Sequence, residues 1–538
     1  MAVSRAFIYL VAAFSLTSDS VSSFCNHAKI AKKITPNKML QEQSHRLLQS
    51  DSEWRSIRIE VDYSNIVDIN PIYFEYFKYI LMPEALKMLE GLIQVRGPRL
   101  IPKFNSTACD YFGIASNEKY SNSNTEADLI ILFTVSNENE SYLAQATACS
   151  VSDWDNRPIV GWIDFNLRNL VFGRNSIRPA LQTLLHEFFH VLAFSPNLYP
   201  YFPKEPSQVF SVAYPDEKRR EEDLIFKIVT PGLLETARKH FNCSKIDGIP
   251  MENEGGGSSA GSHFEKLFFG NEMMTGHDQG FSMISKFSLA FLNDVGWYIV
   301  DIDKAEPYFW GEGAGCALFE KQCDPSLDII CPNEGEISCS PDFMSKSICA
   351  VRTFTNNCKI KEYPFGGVCT TADSLVKFFE FEQGGANSRC FRIKRDENDD
   401  QLIAGCFVSY CFVDRIELLI GNNTYLCRNE NDEIRINNTT IFCPNREKFC
   451  KNREITDRCG NDCSGRGVCT ARGICNCDVF YRGEVCGVEN PCGENTTSVC
   501  QYAKAIRNVD RLSFHLYDSG TTVLNKVAVI FLVILCFY

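Results

Sequence analysis

A chain of 538 residues, 45% of them hydrophobic, has enough material for a large buried core with further domains. Its formal net charge of -13 offers no basic stripe for neutralising phosphates, which argues against nucleic acid as a partner. Setting aside Cys25 near the start and Cys536 near the end, an even number of the 26 cysteines remains, consistent with complete pairing outside the reducing cytosol.

In chain order, residues 1–22 carry Arg5, an apolar stretch over 6–16 and then small residues, the layout of a secretory signal peptide. Lysine and glutamine enrichment over 29–49 predicts an exposed, cleavable stretch, and residues 55–61 then alternate polar and apolar side chains as a strand does. Apolar runs at 127–135 and 158–165 read as two more strands, and Cys109 and Cys149, isolated from the other cysteines, are expected to be joined.

The next element carries the chemistry. From Arg178 the chain has good helix formers, Pro179 suits a first turn, and Phe188, Phe189, Val191 and Leu192 make the helix apolar on most sides, so it is expected to be buried. Within it His186 and His190 stand at i and i+4 on one face, with Glu187 beside the first. This H-E-x-x-H arrangement lets two imidazoles hold zinc while the carboxylate works on a water at the same metal. The pattern is short, and packed or solvated histidines are the bland alternative. Three ionisable groups in a buried helix are costly, however, unless each is paired or metal-bound.

A catalytic zinc takes three protein ligands and leaves a fourth position open. Of the eight histidines, His240, His263 and His277 follow the helix within the same region. His263 is favoured because the Gly- and Ser-rich stretch before it can bring an imidazole to a preformed pair. His240 follows Arg238 and Lys239 in a charged segment that reads as a solvated helix face.

The residues His186 to Ser195, the long insertion, Gly261 to Lys266 and Asn271 to Gly276 together resemble the leishmanolysin (major surface protease) branch of the metzincin zinc endopeptidases. Residues 287–298 and 310–316 extend the resemblance, which covers roughly 55–450. It implies an α+β, metzincin-type catalytic domain with an active-site helix and a Met-turn, followed by a disulfide-rich C-terminal domain. It further implies one zinc ion per chain on His186, His190 and His263, Glu187 as general base, and Met274 as an apolar floor beneath the metal. Protein or peptide substrates would lie extended along an edge strand of the N-terminal subdomain. Cys25 resembles the family's pro-region cysteine, whose thiolate would block the open zinc position until the pro-segment is removed. One departure stands out: Ala193 occupies a position where the family usually has glycine, and alanine at positive φ would carry about 1 kcal/mol of strain.

Beyond the protease, Cys459, Cys463, Cys469, Cys475, Cys477 and Cys486 resemble an EGF-like repeat, which implies the pairs Cys459–Cys469, Cys463–Cys475 and Cys477–Cys486 without calcium. Sequons at Asn105, Asn139, Asn242, Asn422, Asn437, Asn438 and Asn495 mark glycosylated surface. The tail from Val527 is apolar to the end and follows small residues at 518–520, the layout of a GPI attachment signal. The expected organisation is signal peptide 1–22, pro-segment 23–50, N-terminal catalytic subdomain 51–194, central subdomain 195–310, cysteine-rich domain 311–455, EGF-like module 456–487, stalk 488–519 and tail 520–538. An extracellular zinc endopeptidase, secreted or anchored at the cell surface, is the expectation. The competing one is a surface adhesion or recognition glycoprotein that keeps the scaffold with weak or no proteolysis.

Overall fold

The computed structural model describes residue 30, residues 33–39, most of 53–451 and parts of 463–489; among the intervals left out are 171–176, 204–208, 214–223, 254–259 and 277–280. Cys25, His277, Cys459, Asn495 and the two terminal signals lie outside the described residues.

The sheet that carries the site grows from strands that are apolar on both faces. The elements in order are β1 (Asn37–Met39), β2 (Arg55–Ser56), β3 (Ile59–Asp62), α1 (Met82–Leu92), β4 (Ile93–Val95), β5 (Leu129–Ser136), β6 (Ala144–Ser152) and β7 (Pro158–Asn166). Every residue of β7 is buried, as expected for a strand covered on both sides. The spatial order is β1-β6-β7-β5-β3. β3, β5 and β7 run parallel, β6 runs antiparallel to β7, and β1 lies parallel to β6 along its outer side.

The apolar runs at 127–135 and 158–165 become β5 and β7, whereas the single strand expected over 55–61 is split in two. β2 pairs with β4 in a small sheet, and β3 joins β5. The break has an electrostatic cause. Asp128 has a fully buried side chain and draws the Arg58 amide and Nε, each at 3.0 Å, with Arg55 Nη2 at 2.6 Å. Satisfying that carboxylate turns the chain at Arg58 and sends its two halves to different sheets.

Helix α2 (Ile177–Leu192) packs across β6 and β7 on one face, in a continuous core that runs from Ile57 to Tyr363. That core takes in α3 (Pro231–Phe241), α4 (Lys286–Asp294) and β8 (Tyr298–Val300), whose antiparallel pairing with β4 ties the middle of the chain back to the N-terminal part. The opposite sheet face carries a second core around the Cys109–Cys149 disulfide, with Phe104, Tyr120, Trp162, Ile30, Ile34 and Met39. Within 29–49 the described residues Lys33, Thr35, Asn37 and Lys38 are exposed, as the lysine content implies, while Ile30, Ile34 and Met39 are spaced to reach the sheet.

Farther on, a six-stranded antiparallel sheet between Ser388 and Phe442 builds its own core. Disulfides Cys339–Cys390, Cys369–Cys406, Cys411–Cys450 and Cys427–Cys443 staple this sheet and the chain flanking it, Cys323–Cys358 and Cys331–Cys349 close loops of the preceding segment, and Cys243–Cys316 ties the end of α3 to the chain that enters this region. A Cys463–Cys475 disulfide ties the chain ahead of the short strand Gly467–Cys469 to the first residue of its antiparallel partner, Cys475–Cys477. Asn105, Asn139, Asn242, Asn422, Asn437 and Asn438 are all exposed. Among the described residues no helix is long and apolar enough to cross a membrane.

Gly161 in β7 sets how closely α2 approaches the sheet, because a Cβ there would lie 2.3 Å from Val191 Cγ1. Gly161→Ala is expected to destabilise the fold by about 1–3 kcal/mol through overpacking. Adding Val191→Ala should recover part of that loss, which urea unfolding of the single and double variants will measure as a coupling.

Candidate metal centre

Helix α2 presents His186, Glu187 and His190 from its buried side, and all residues from Leu184 to Leu192 are buried. The helix start is held from outside: Gln182 receives the Ser282 amide on its Oε1, and Arg178 pairs with Glu306 at 3.0 Å. Its exit corrects the expectation for Ala193, whose φ is not positive. Ala193 N still donates to Phe189 O at 2.9 Å, and Ser195 N closes a tight turn onto Ala193 O at 2.7 Å. Phe194, wedged among Phe189, Phe264 and Phe291, fixes this exit, so alanine fits without left-handed strain.

His263 reaches the helical pair across 73 residues of chain from His190. The three Nε2 atoms form a near-equilateral triangle, with His186–His190 at 3.0 Å, His190–His263 at 3.1 Å and His186–His263 at 3.2 Å. Tetrahedral zinc with Zn–N of 2.0–2.1 Å calls for ligand nitrogens about 3.3 Å apart, so the triangle fits that ion closely. The far side of each ring is also engaged. His186 Nδ1 donates to Met273 O at 2.6 Å, His190 Nδ1 donates to Phe194 O at 2.7 Å, and His263 Nδ1 lies 3.1 Å from Ser262 Oγ. A carbonyl partner forces the proton onto Nδ1 and leaves the Nε2 lone pair for a metal. Burial pushes His186 down to about 4, with the Met273 carbonyl acting in the opposite direction, so the ring is neutral at physiological pH.

Glu187 is buried at 1% exposure on the same turn as His186. Met274 is fully buried in the turn after His263, and its carbonyl accepts from Phe264 N at 2.8 Å. His240 departs from expectation: instead of lying on a solvated face, its ring packs against Phe241, Phe287 and Tyr308 and its Nε2 sits 2.7 Å from Trp310 O. The charged neighbours Arg238 and Lys239 concealed a helix whose other side is aromatic.

Sequence reasoning passed over the groups that hold the ligands. The carbonyls of Met273 and Phe194 have no signature, because any residue supplies a carbonyl. Glu272 did have one, as an ionisable residue beside the apolar run Leu267, Phe268, Phe269 and just ahead of Met273. Its buried carboxyl accepts from Ser285 Oγ at 2.8 Å, Ser288 Oγ at 2.5 Å and the Met274 amide. These bonds tie the turn that holds Met273 to the start of α4.

The leishmanolysin peptidase family model matches residues 74–365. The chain is 23% identical over 382 residues to the leishmanolysin-like peptidase of Drosophila melanogaster, covering 53% of this chain and 56% of that protein. It is 30% identical over 232 residues to the leishmanolysin-like peptidase of Caenorhabditis briggsae, covering 37% and 35%, and 26% identical over 282 residues to leishmanolysin of Leishmania donovani, covering 50% and 45%. The chain thus spans about half the length, or less, of these relatives.

Burial raises the Glu272 carboxyl from 4.5 to about 7, with the hydroxyl and amide donors pulling it back down. The folded chain therefore binds this proton more tightly than the unfolded chain, so the associated stability is complete below about pH 4.5 and is lost as pH rises to about 7. Glu272→Gln is expected to remove that slope, so the stability difference between variant and wild type shifts in favour of the variant as pH rises across the interval. Urea midpoints taken at several pH values check it; parallel wild-type and variant curves would contradict it.

Proposed function

This chain belongs to the leishmanolysin family, and from that premise we propose that it is a zinc endopeptidase that hydrolyses peptide bonds in proteins. The observation that carries the reading is the convergence of three buried Nε2 atoms, two of the rings having Nδ1 bonded to a backbone carbonyl. His186, His190 and His263 hold the ion, and a zinc bound there supplies Lewis acidity toward a carbonyl oxygen and a water. The Glu187 carboxylate takes a proton from water as the water oxygen adds to the peptide carbonyl carbon, then delivers it to the departing amine nitrogen. Met274 packs beneath the histidines as apolar support, and the Met273 and Phe194 carbonyls orient the ligating rings. An extended peptide adds to the outer side of β6 through backbone hydrogen bonds, a mode that asks little of peptide sequence.

The working place is extracellular, reached through the signal peptide, with the enzyme secreted or held at the cell surface by a GPI anchor. Residues 23–50 act as a pro-segment in which Cys25 contributes to latency. The module over 456–487 is EGF-like and serves as a spacer or protein contact. Exposure of the sequon asparagines within the described residues is compatible with this route.

Purified, processed protein is expected to contain one zinc per chain and to cleave peptides in a chelator-sensitive way that added zinc restores. Glu187→Ala should lower kcat about a hundredfold to ten-thousandfold while zinc content is unchanged, whereas His263→Ala should lose the metal as well. Peptide hydrolysis that survives Glu187→Ala would sink the assignment of the base. Absence of both zinc and hydrolysis in the processed wild type would sink the enzyme reading itself.

A further inference from the structure

The segment before the first catalytic strands is pinned at two places. Ile34 O accepts from Asn197 Nδ2 at 2.5 Å, and Asn197 stands seven residues past His190, where the chain leaves the histidine helix. Three residues later the segment becomes β1 and lies parallel to β6, with Asn37 opposite Ser150, Lys38 opposite Val151 and Met39 opposite Ser152. Ile34 and Met39 are 3% and 8% exposed, buried in the core on the outer sheet face, while Thr35, Asn37 and Lys38 point to solvent. The segment therefore bridges from the exit of α2 to the rim of the sheet.

β6 pairs with β7 on its inner side, and along Ser150–Ser152 its outer side pairs with β1. We propose that residues 34–39 are a built-in competitor strand, which occupies the β6 edge and keeps extended peptides off it until the chain is cut on their C-terminal side. The proposal rests on the reading of β6 as the peptide track and concerns backbone pairing, separately from any thiolate role of Cys25. Two physical features suit a removable strand. Three paired residues are too few to stay bound by themselves, but tethering gives an effective concentration on the order of millimolar, which cleavage abolishes. Parallel pairing is also slightly weaker per residue than antiparallel, so a substrate laid antiparallel on the same edge forms the better ladder.

The test uses the full chain carrying a site-specific protease sequence inserted after Ser50. Amide hydrogen exchange at Val151 is expected to quicken at least about tenfold on cleavage, while Ser152, whose amide donates inward to Arg157 O at 2.8 Å, serves as the unresponsive control, and a synthetic peptide of residues 33–40 should restore protection at Val151. With a fluorogenic peptide substrate, the same synthetic peptide should raise KM and leave kcat unchanged. Asn37→Pro with Lys38→Pro removes two strand amides while sparing the buried Ile34 and Met39, and should raise hydrolysis by the uncut chain about tenfold or more. Unchanged exchange after cleavage, or failure of the peptide to restore protection, would overturn the proposal. So would an uncut proline variant that stays latent when Cys25→Ser alone gives full activity. If exchange and peptide binding behave as expected but no form hydrolyses peptides, the peptidase reading fails and the strand exchange stands.

Discussion

Three imidazoles meeting at one buried point constrain the rest of this structure. Three ring nitrogens about 3 Å apart are costly to hold together in a buried place, and each ring is held from behind. The holders come from different parts of the chain: Phe194 from the helix exit, Met273 from a turn beyond His263, and Ser262 from the residue just before it. A bound cation converts that cost into ligation. The surrounding protein therefore has to be rigid, and the shared core from Ile57 to Tyr363 provides the rigidity.

Rigidity is assembled in layers around α2. The sheet meets one side of the helix closely because β7 has a glycine under Val191. The turn containing Met273 covers another side, and the Glu272 carboxylate fastens that turn to the serines at the start of α4. β8 then pairs with β4, so the segment bearing the third histidine is fixed to the same body as the helix bearing the first two. Breaking any one of these attachments leaves the imidazoles in place chemically but free to drift, and a metal site tolerates little drift.

Much of the site was legible in the residues because its first half is local. His186, Glu187 and His190 are neighbours on a helix whose apolar pattern is strong, and β5 and β7 are long apolar runs that can hardly be anything but buried strands. Legibility failed where a distant charge or ring intervened. The strand expected over 55–61 breaks because Asp128, far along the chain, captures Arg58. His240 looked solvated because its sequence neighbours are charged, yet Phe287 and Tyr308 come from elsewhere to cover it. Ala193 looked strained because a helix exit was assumed to need positive φ, whereas Phe194 packing supplies a different exit.

The sequence by itself determined the pair of imidazoles with their carboxylate, the strands that support them and the cysteine content suited to an oxidising setting, since all of these depend on spacing within a few residues or on composition. Only the tertiary structure decided that His263 closes the triangle, which carbonyls set the tautomers of His186 and His190, and that residues 37–39 lie along the rim of β6. Those outcomes depend on pairings between segments tens of residues apart. Such pairings are chosen by which surfaces remain to be buried and which donors remain to be satisfied after local structure has formed.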